Sequence, residues 1–383
     1  MRVPYFDHNA TTPLAPVARD AWLKAQDEVW QNPSSPYRAA VQVKLRLDAA
    51  REKLALVLGG ESEHYVFTSG ATEAANLVLA HWARVLPADA VVALNPTEHP
   101  CVRDAALYYF GDRVRWLDVI RAGVVSVETV KAVVGRVGAV AIMAANNETG
   151  VIQPWAAIAA VCRSACVPYL CDASQWLGKL PAGGLGDVDF VIGAAHKFGG
   201  PKGVGFLKIG AQAEGLRGQS GGAQERGHRA GTEDFPSIAA MVAALAEAEG
   251  KQMLLETERL RWREVFEQAA LAAVPGVQVV GAGADRLWNT VLLLMPHGEN
   301  HRWVARLDKR GFQVSTGSAC ATGKEGPSHV LAAMGYTAEE AKRVIRVSAG
   351  WETGADDWQA LAAALTEVTM ELNSGDVDHV VQV

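Results

Sequence analysis

The sequence predicts an α/β fold in which a mainly parallel sheet forms a larger lobe and an α+β lobe follows it. Short apolar runs alternate with helical patterns, which is typical of βα units. A stretch rich in Ala, Glu, Leu and Arg, from Pro236 to about Gly276, looks like a long connecting helix between the lobes. The 383 residues are 49% hydrophobic and 20% charged, so the chain can bury a sizeable core and is not disordered as a whole.

The elements of the larger lobe follow from these patterns in order. The segment from Ser35 to Leu58 predicts an amphipathic helix that ends at Gly59. Strands are predicted in the runs HYVFTSG, AVVALNP, AVAIMAANN, VPYLCDAS and DFVIGAAHK, most of which end in polar residues. Because ligands on open α/β sheets bind beyond the carboxyl ends of the strands, these polar ends are candidates for a binding site.

The smaller lobe is predicted from the order of the elements that follow the connecting helix. Strands are expected in TVLLLM, FQVS and RVIRVSAG, and helices in NHRWVARLDKRG, PSHVLAAMG and DDWQALAAALTEV. A glycine-containing loop with Cys320 lies between FQVS and the next helix.

Charge and cysteine content exclude several classes of protein. Lys and Arg number 36 against 42 Asp and Glu, a net charge of −6, which argues against a general nucleic-acid-binding protein. The start, MRVPYFDHNATTP, lacks the apolar core of a signal peptide, and no run is suited to span a membrane. The five cysteines are sparse and lack paired C-x-x-C spacing, so neither a disulfide framework nor a zinc site is expected. Cys162, Cys166 and Cys171 alternate with apolar residues and are expected to be small buried residues on a helix and the next strand. We therefore expect a protein of the reducing cytoplasm.

Three segments at predicted strand ends carry the chemistry. Small residues from Thr68 to Glu73 precede a helical run, so they form either a phosphate cradle or an ordinary helix start. Asp172 either pairs with a protonated ring nitrogen or caps a turn. Lys197 is either a desolvated amine nucleophile or a surface lysine. Together they match the three contacts that pyridoxal 5′-phosphate requires.

These residues lie in blocks by which the chain resembles a known family. The blocks are YFDHNATTP, NPSS, TSGATEAANL, TEHP, NNETGVIQP, DASQWLGK, HKFGGPKG, GGAQERGHRAGTE, STGSAC and RVSAG. They are similar to those of cysteine desulfurases of the nitrogen-fixation and iron–sulfur-assembly type, which are class V aminotransferase-like enzymes of fold-type I. The resemblance implies a large cofactor-binding domain over residues 15–255 with a mainly parallel seven-stranded sheet. It also implies a small domain formed by residues 1–14 and 256–383, which carries the catalytic cysteine loop.

The resemblance implies pyridoxal 5′-phosphate as the cofactor and no metal. Lys197 would form the Schiff base, Asp172 would pair with the pyridinium nitrogen, and Gln175 would bond the phenolic oxygen. Thr232 would reach the phosphate in the neighbouring subunit, which implies a homodimer with shared sites. The full set of residues implied to bind the cofactor is Ala71, Thr72, His99, Asn147, Asp172, Gln175, His196, Lys197 and Thr232.

The resemblance also implies the reaction and its substrate. Sulfur would be removed from L-cysteine to give L-alanine and a persulfide on Cys320, which then passes to an acceptor protein. Lys197 and His99 would move protons, and Asn147 would lie beside the ring and the substrate. Arg346 would bind the substrate α-carboxylate, a task suited to a guanidinium. No membrane or nucleic-acid partner is expected.

Several positions depart from the family pattern, and they suggest a specialised member. Ala194 stands where the family usually has a serine, which predicts one phosphate hydrogen bond fewer. Tyr37 stands in place of a histidine, and Trp351 in place of an arginine. Two other functions remain open on the residues alone. One is a selenocysteine lyase or another β-eliminating or aminotransferase-like enzyme with the same cofactor, and the other is a non-catalytic scaffold of a sulfur-transfer complex.

Overall fold

The larger sheet has seven strands and lies in the first part of the chain. The computed structural model describes residues 4–210, 213, 215–317 and 328–374, and Cys320 lies outside the described residues. The strands of this sheet are β1 (Tyr65–Thr68), β2 (Val92–Leu94), β3 (Val114–Trp116), β4 (Ala139–Ala141), β5 (Tyr169–Asp172), β6 (Phe190–Ala194) and β7 (Gly205–Lys208).

The strand order is β1-β7-β6-β5-β4-β2-β3, and only β7 runs antiparallel to its neighbours. The expectation of a mainly parallel sheet is therefore confirmed. A short glycine-rich connection without an α-helix joins β6 to β7, so β7 runs antiparallel to β6. A Cβ on Gly205 would lie 2.4 Å from the carbonyl oxygen of Gly193 and 2.7 Å from Cα of Gly70. Glycine at this position thus lets β7 pack against the loop after β1.

Helices cover both faces of the larger sheet. Along β5, Tyr169 and Cys171 join one hydrophobic core and Leu170 joins the other, as expected for a strand buried on both sides. The helices are α1 (Pro16–Glu28), α2 (Arg38–Leu58), α3 (Ala71–Val85), α4 (Pro100–Phe110), α5 (Val127–Val133), α6 (Trp155–Ser164), α7 (Phe235–Ala273), α8 (Asn300–Lys309), α9 (His329–Ala333), α10 (Ala338–Ala341) and α11 (Ala355–Asn373). The long helix α7 is the predicted connector.

The second sheet is antiparallel and has the order β10-β9-β8. Its strands are β8 (Gln278–Val279), β9 (Thr290–Leu294) and β10 (Val344–Ser348). The predicted strand FQVS makes only isolated bridges, from Gln313 to Tyr5 and from Ser315 to Arg346. It is placed between the N-terminal segment and β10 rather than in a regular ladder. The domain boundaries stay a prediction.

The four cysteines of the described residues are free thiols. Cys162 and Cys171 are buried, as expected for small core residues. The expectation was wrong for Cys166, which is exposed in the turn after α6 with φ of 56°. In the described part of the chain, no group of three or more His, Cys, Asp or Glu could hold a metal ion. None of its helices is both long and apolar enough to cross a membrane.

Candidate active site

A cavity of about 450 Å³ opens at the carboxyl ends of the parallel strands. It brings together eight of the nine residues implied to bind a cofactor, although they are spread over more than a hundred positions. These residues are Ala71, Thr72, His99, Asn147, Asp172, Gln175, His196 and Lys197. The ninth, Thr232, is exposed and lies outside the lining of this cavity.

Lys197 ends the single turn of 3₁₀ helix that follows β6. Its Nζ donates hydrogen bonds to the carbonyl oxygens of Asn9 at 2.7 Å and Ala10 at 2.8 Å. Burial and the charge of Arg346 lower the pKa of Lys197 to about 8, although Asp172 opposes the shift. Near neutral pH a much larger fraction of Lys197 is therefore the free amine than for a surface lysine.

Asp172 is the last residue of β5 and is buried. One carboxylate oxygen, Oδ1, accepts the N–H of Ser174 at 2.8 Å. Behind it lies Glu98, and burial and the charge of Asp172 raise the pKa of the Glu98 carboxyl well above its ordinary value. Glu98 is thus favoured as a neutral acid, so it adds no negative charge beside Asp172.

Cys101 also lines the cavity, and its Sγ lies 3.9 Å from Oδ2 of Asp172. Burial and the charge of Asp172 raise the pKa of the Cys101 thiol well above its ordinary value. The thiolate is the nucleophilic form of cysteine. Cys101 is therefore not an activated nucleophile.

The amino end of α3 forms an open cradle on the cavity. No side chain caps this helix at Gly70, and a Cβ built there would meet no atom within 4 Å. Glu73 also lines the cavity, and its carboxylate is held there by hydrogen bonds from Nε of Arg229 at 2.9 Å and from the N–H of Ser69 at 2.7 Å. Burial raises the pKa of Glu73, but these bonds outweigh it and hold the pKa below its ordinary value. The free N–H groups and the helix dipole suit an anion.

Both histidines of the site are neutral at pH 7. Burial lowers the pKa of His99, and burial with the charge of Lys197 lowers the pKa of His196 to about 4. Nδ1 of His99 accepts the N–H of Cys101 at 3.2 Å, so the neutral ring carries its proton on Nε2. Nδ1 of His196 lies 3.1 Å from the hydroxyl of Thr11.

Arg346 in β10 is fully buried and connects three segments of the chain. Its Nη2 lies 2.7 Å from Oδ1 of Asp7, and its Nη1 donates to the carbonyls of Asn147 at 3.0 Å and Gly317 at 2.9 Å. Among the described residues, its Nε has no partner. The guanidinium therefore already binds one carboxylate, and any second carboxylate must share it with or displace Asp7.

The described residues that border segment 318–327 lie at this site on both sides. Gly317 is held by Arg346 at the first border. At the second border, the hydroxyl of Ser328 donates to Oε2 of Glu148 at 2.7 Å, and Nε2 of His329 donates to the carbonyl of Glu98 at 2.8 Å. Gly317 is thus linked through Arg346 to the lining residue Asn147, and His329 contacts Glu98, the neighbour of the lining residue His99.

Sequence reasoning missed several residues that shape the site. Asp7, Asn9, Glu98 and Glu148 lie within the blocks YFDHNATTP, TEHP and NNETG, but no role was assigned to them. Their partners are far away in sequence, for example 339 positions for the pair of Asp7 and Arg346. Their presence as polar residues within those blocks was the only available signal.

Comparison with known proteins agrees with this architecture. The aminotransferase class-V family model matches residues 4–361. A cysteine desulfurase from Cereibacter sphaeroides is 36% identical, over 92% of each chain. A cysteine desulfurase from Klebsiella pneumoniae is 33% identical, over 98% of this chain and 94% of its own. The structure of a NifS-like protein superimposes with a TM-score of 0.88 at 28% identity, covering 97% of this chain and all of its own. The chain belongs to the aminotransferase class-V family.

Proposed function

We propose that the protein is a pyridoxal-phosphate-dependent cysteine desulfurase, which converts L-cysteine to L-alanine and holds the sulfur as a persulfide on Cys320. The observation that carries this proposal is the arrangement within one cavity of the Lys197 amine, the Asp172 carboxylate and the open end of α3. Relatives that are 36% and 33% identical over nearly the whole chain bear the name cysteine desulfurase.

The residues present fit this cofactor. A volume of about 450 Å³ lies within the usual range of small-molecule sites. The amino end of α3 suits a phosphate, and the buried Asp172 suits a protonated ring nitrogen. Ser174 adds a buried hydroxyl without a partner among the described residues. Lys197 supplies the amine that an aldehyde requires.

The bound cofactor supplies an electron-withdrawing ring that stabilises negative charge at the substrate Cα. Asp172 would keep the ring nitrogen protonated, because its carboxylate is buried beside the neutral Glu98. Lys197, with its lowered pKa, would take a proton from the substrate and return it. His99 presents a protonated Nε2 for a second proton transfer. Cys320, as thiolate, would attack the substrate sulfur, so that an S–S bond forms while the substrate Cβ–Sγ bond breaks and its electron pair passes to the carbon skeleton that is then protonated to alanine.

The substrate carboxylate is expected to bind Arg346. Arg346→Ala should raise KM for L-cysteine by about 10- to 100-fold, since hydrogen bonds between charged groups are lost. Asp7→Asn should lower KM, because the competing carboxylate on Nη2 is removed. Steady-state kinetics measure both effects, and the visible spectrum of the cofactor reports whether the site is intact. A KM that is unchanged in Arg346→Ala would remove Arg346 from substrate binding.

Ala194 is expected to weaken cofactor retention. It lies at the end of β6 and lines the cavity with a methyl group where related enzymes usually have a hydroxyl. Ala194→Ser should lower the dissociation constant of the cofactor by roughly 2- to 10-fold, the value of one hydrogen bond. Dialysis at a series of cofactor concentrations measures it. Ala195→Ser, at the buried neighbouring position outside the cavity lining, is the matched control.

Product analysis tests the proposed function. The purified, cofactor-loaded protein is given L-cysteine and a reductant, and alanine and sulfide are quantified beside a parallel reaction with L-selenocysteine. Equal amounts of alanine and sulfide are expected from L-cysteine. Turnover of selenocysteine alone would support a lyase, and a colourless protein without turnover would support a scaffold.

The proposal also covers the oligomeric state, the sulfur acceptor, the cellular compartment and the domain boundaries. We propose a homodimer in which the exposed Thr232 reaches the phosphate of the neighbouring site. The sulfur would pass to an acceptor protein, as in iron–sulfur cluster assembly, within a reducing cytoplasm. Residues 15–255 would form the cofactor-binding domain, and residues 1–14 and 256–383 the small domain.

A further inference from the structure

Lys179 is a buried lysine next to the proposed site, and it is not among the residues that line the cavity. It lies seven positions after Asp172, in the block DASQWLGK, and is 4% exposed. Its Nζ donates to Oε1 of Gln175 at 3.1 Å. Within the described ranges of the chain, no carboxylate lies within ion-pair distance of it. A buried lysine without an acidic partner is costly, so its placement needs an explanation.

The contact determines which way the amide of Gln175 faces. A protonated lysine has only donors, so the atom that it contacts must be the amide oxygen. The amide nitrogen Nε2 is therefore on the other side and carries two N–H groups. One of them donates to the carbonyl oxygen of Asn9 at 3.0 Å, the same oxygen that accepts Nζ of Lys197 at 2.7 Å. Among the described residues, no acceptor takes the second N–H, and Gln175 lines the cavity.

Two tryptophans hold the backbone that carries Lys179. The indole N–H of Trp351 donates to the carbonyl of Gly178 at 2.8 Å, and that of Trp288 donates to the carbonyl of Lys179 at 2.9 Å. Their rings lie 4.3 Å apart. Gly178 has φ of +69°, and a Cβ there would lie 2.6 Å from Cβ of Phe198. The turn is thus packed directly against the residue after Lys197.

We propose that Lys179 is a positioning residue, which fixes the amide of Gln175 so that its free N–H faces the phenolic oxygen of the cofactor. This inference rests on the proposed function. Trp351, which departs from the family pattern, supports it by holding Gly178. Without Lys179, only the hydrogen bond from Nε2 to the carbonyl of Asn9 orients the amide, and a rotation that breaks it brings the amide oxygen toward the phenolic oxygen. Two acceptors would then face each other, and the negatively charged form of the phenolic oxygen would lose a donor.

The absorbance of the cofactor joined to Lys197 tests this proposal. While the nitrogen that joins the cofactor to Lys197 is protonated, the charged form of the phenolic oxygen absorbs in the visible range, and the tautomer with a neutral phenolic oxygen absorbs in the near ultraviolet. Burial and the charge of Lys197 lower the pKa of Lys179 to about 7, so spectra are recorded below that pH, where Lys179 keeps its proton. Lys179→Met should lower the ratio of the visible to the near-ultraviolet band by at least roughly 10-fold. An unchanged ratio would overturn the proposal.

Two further variants separate positioning from general damage to the fold. In a Gln175→Ala background, Lys179→Met should change the ratio no further, and an equal fall there would overturn the proposal. Lys208→Met is the matched control, because Lys208 is also buried and donates to a backbone carbonyl, that of Val188, outside the cavity lining. Its ratio should equal that of the wild type.

If Lys179→Met does not fold, Trp351→Phe tests the hydrogen bond between Lys179 and Gln175 indirectly. It removes the indole N–H that holds the carbonyl of Gly178, the residue before Lys179. In Trp351→Phe the ratio should fall by less than 10-fold, and in the Gln175→Ala background the same change should cause no fall. An unchanged ratio in Trp351→Phe alone would overturn the proposal. A wild-type protein without a visible band would instead contradict the proposed cofactor. A wild-type band that Lys179→Met leaves unaltered would contradict only the role of Lys179.

Discussion

Lys197→Ala is expected to remove the visible absorbance of the cofactor and to lower the rate of alanine formation by about 10²- to 10⁴-fold or more. The amine of Lys197 lies in the same cavity as Asp172 and the amino end of α3. Its pKa, lowered to about 8 by burial and by Arg346, favours the nucleophilic amine near neutral pH. Alanine at this position supplies neither a bond to the cofactor aldehyde nor a base. The loss of base catalysis alone would lower the rate by about 10²- to 10⁴-fold.

The control for this prediction is Lys208→Met, which removes another buried lysine with a pKa lowered by burial. That variant should keep the visible band and the activity. Absorbance spectra after incubation with the cofactor, followed by removal of the unbound fraction, provide the measurement. An unchanged spectrum in Lys197→Ala would contradict the assignment of Lys197.

Cys320→Ala is expected to abolish sulfur removal from L-cysteine while leaving the cofactor spectrum intact. The described residues on either side of segment 318–327 are bonded to Arg346 and Glu148, and Arg346 in turn donates to the carbonyl of Asn147, which lines the cavity. Cys101 cannot replace Cys320, because burial and the charge of Asp172 raise the pKa of its thiol. A fall to the background rate of sulfide release is therefore expected, measured in the presence of a reductant.

Cys166→Ala is the matched control for Cys320→Ala, since Cys166 is an exposed cysteine outside the cavity lining. It should release sulfide at the wild-type rate. If Cys320→Ala continues to turn over L-cysteine, the protein is a β-eliminating enzyme or a selenocysteine lyase, in which the leaving atom needs no nucleophile.

The sequence was most informative about the central strands and the residues at their ends. The runs that form β2, β4, β5 and β6 are mostly apolar and are buried on both faces, so their composition clearly predicts strands of a buried sheet. Because parallel strands share one carboxyl edge, Asp172 and Lys197 could be expected to lie together. Strands β3 and β7 were missed. The three residues of β3, VRW, are partly or fully exposed and lack an apolar pattern, whereas β7, GFLK, is buried but short and follows a glycine-rich turn.

The remaining part of the site depends on contacts that a single sequence does not reveal. The ion pair between Asp7 and Arg346 joins the N-terminal segment to β10, and the hydrogen bond between Glu148 and Ser328 spans 180 positions. The hydrogen bond of Lys179 to Gln175 is local, yet its direction toward the cavity follows only from the packed turn around Gly178. Tertiary packing, rather than local propensity, decides these contacts.

The most direct test of the central claim is the fate of sulfur in a single turnover. The cofactor-loaded protein is mixed with L-cysteine in the absence of a reductant, and the alanine formed is quantified. The mass of the peptide that contains Cys320 is then measured by mass spectrometry. The account predicts one sulfur atom added to Cys320 for each alanine formed. Alanine or another product formed while Cys320 remains unmodified would contradict it.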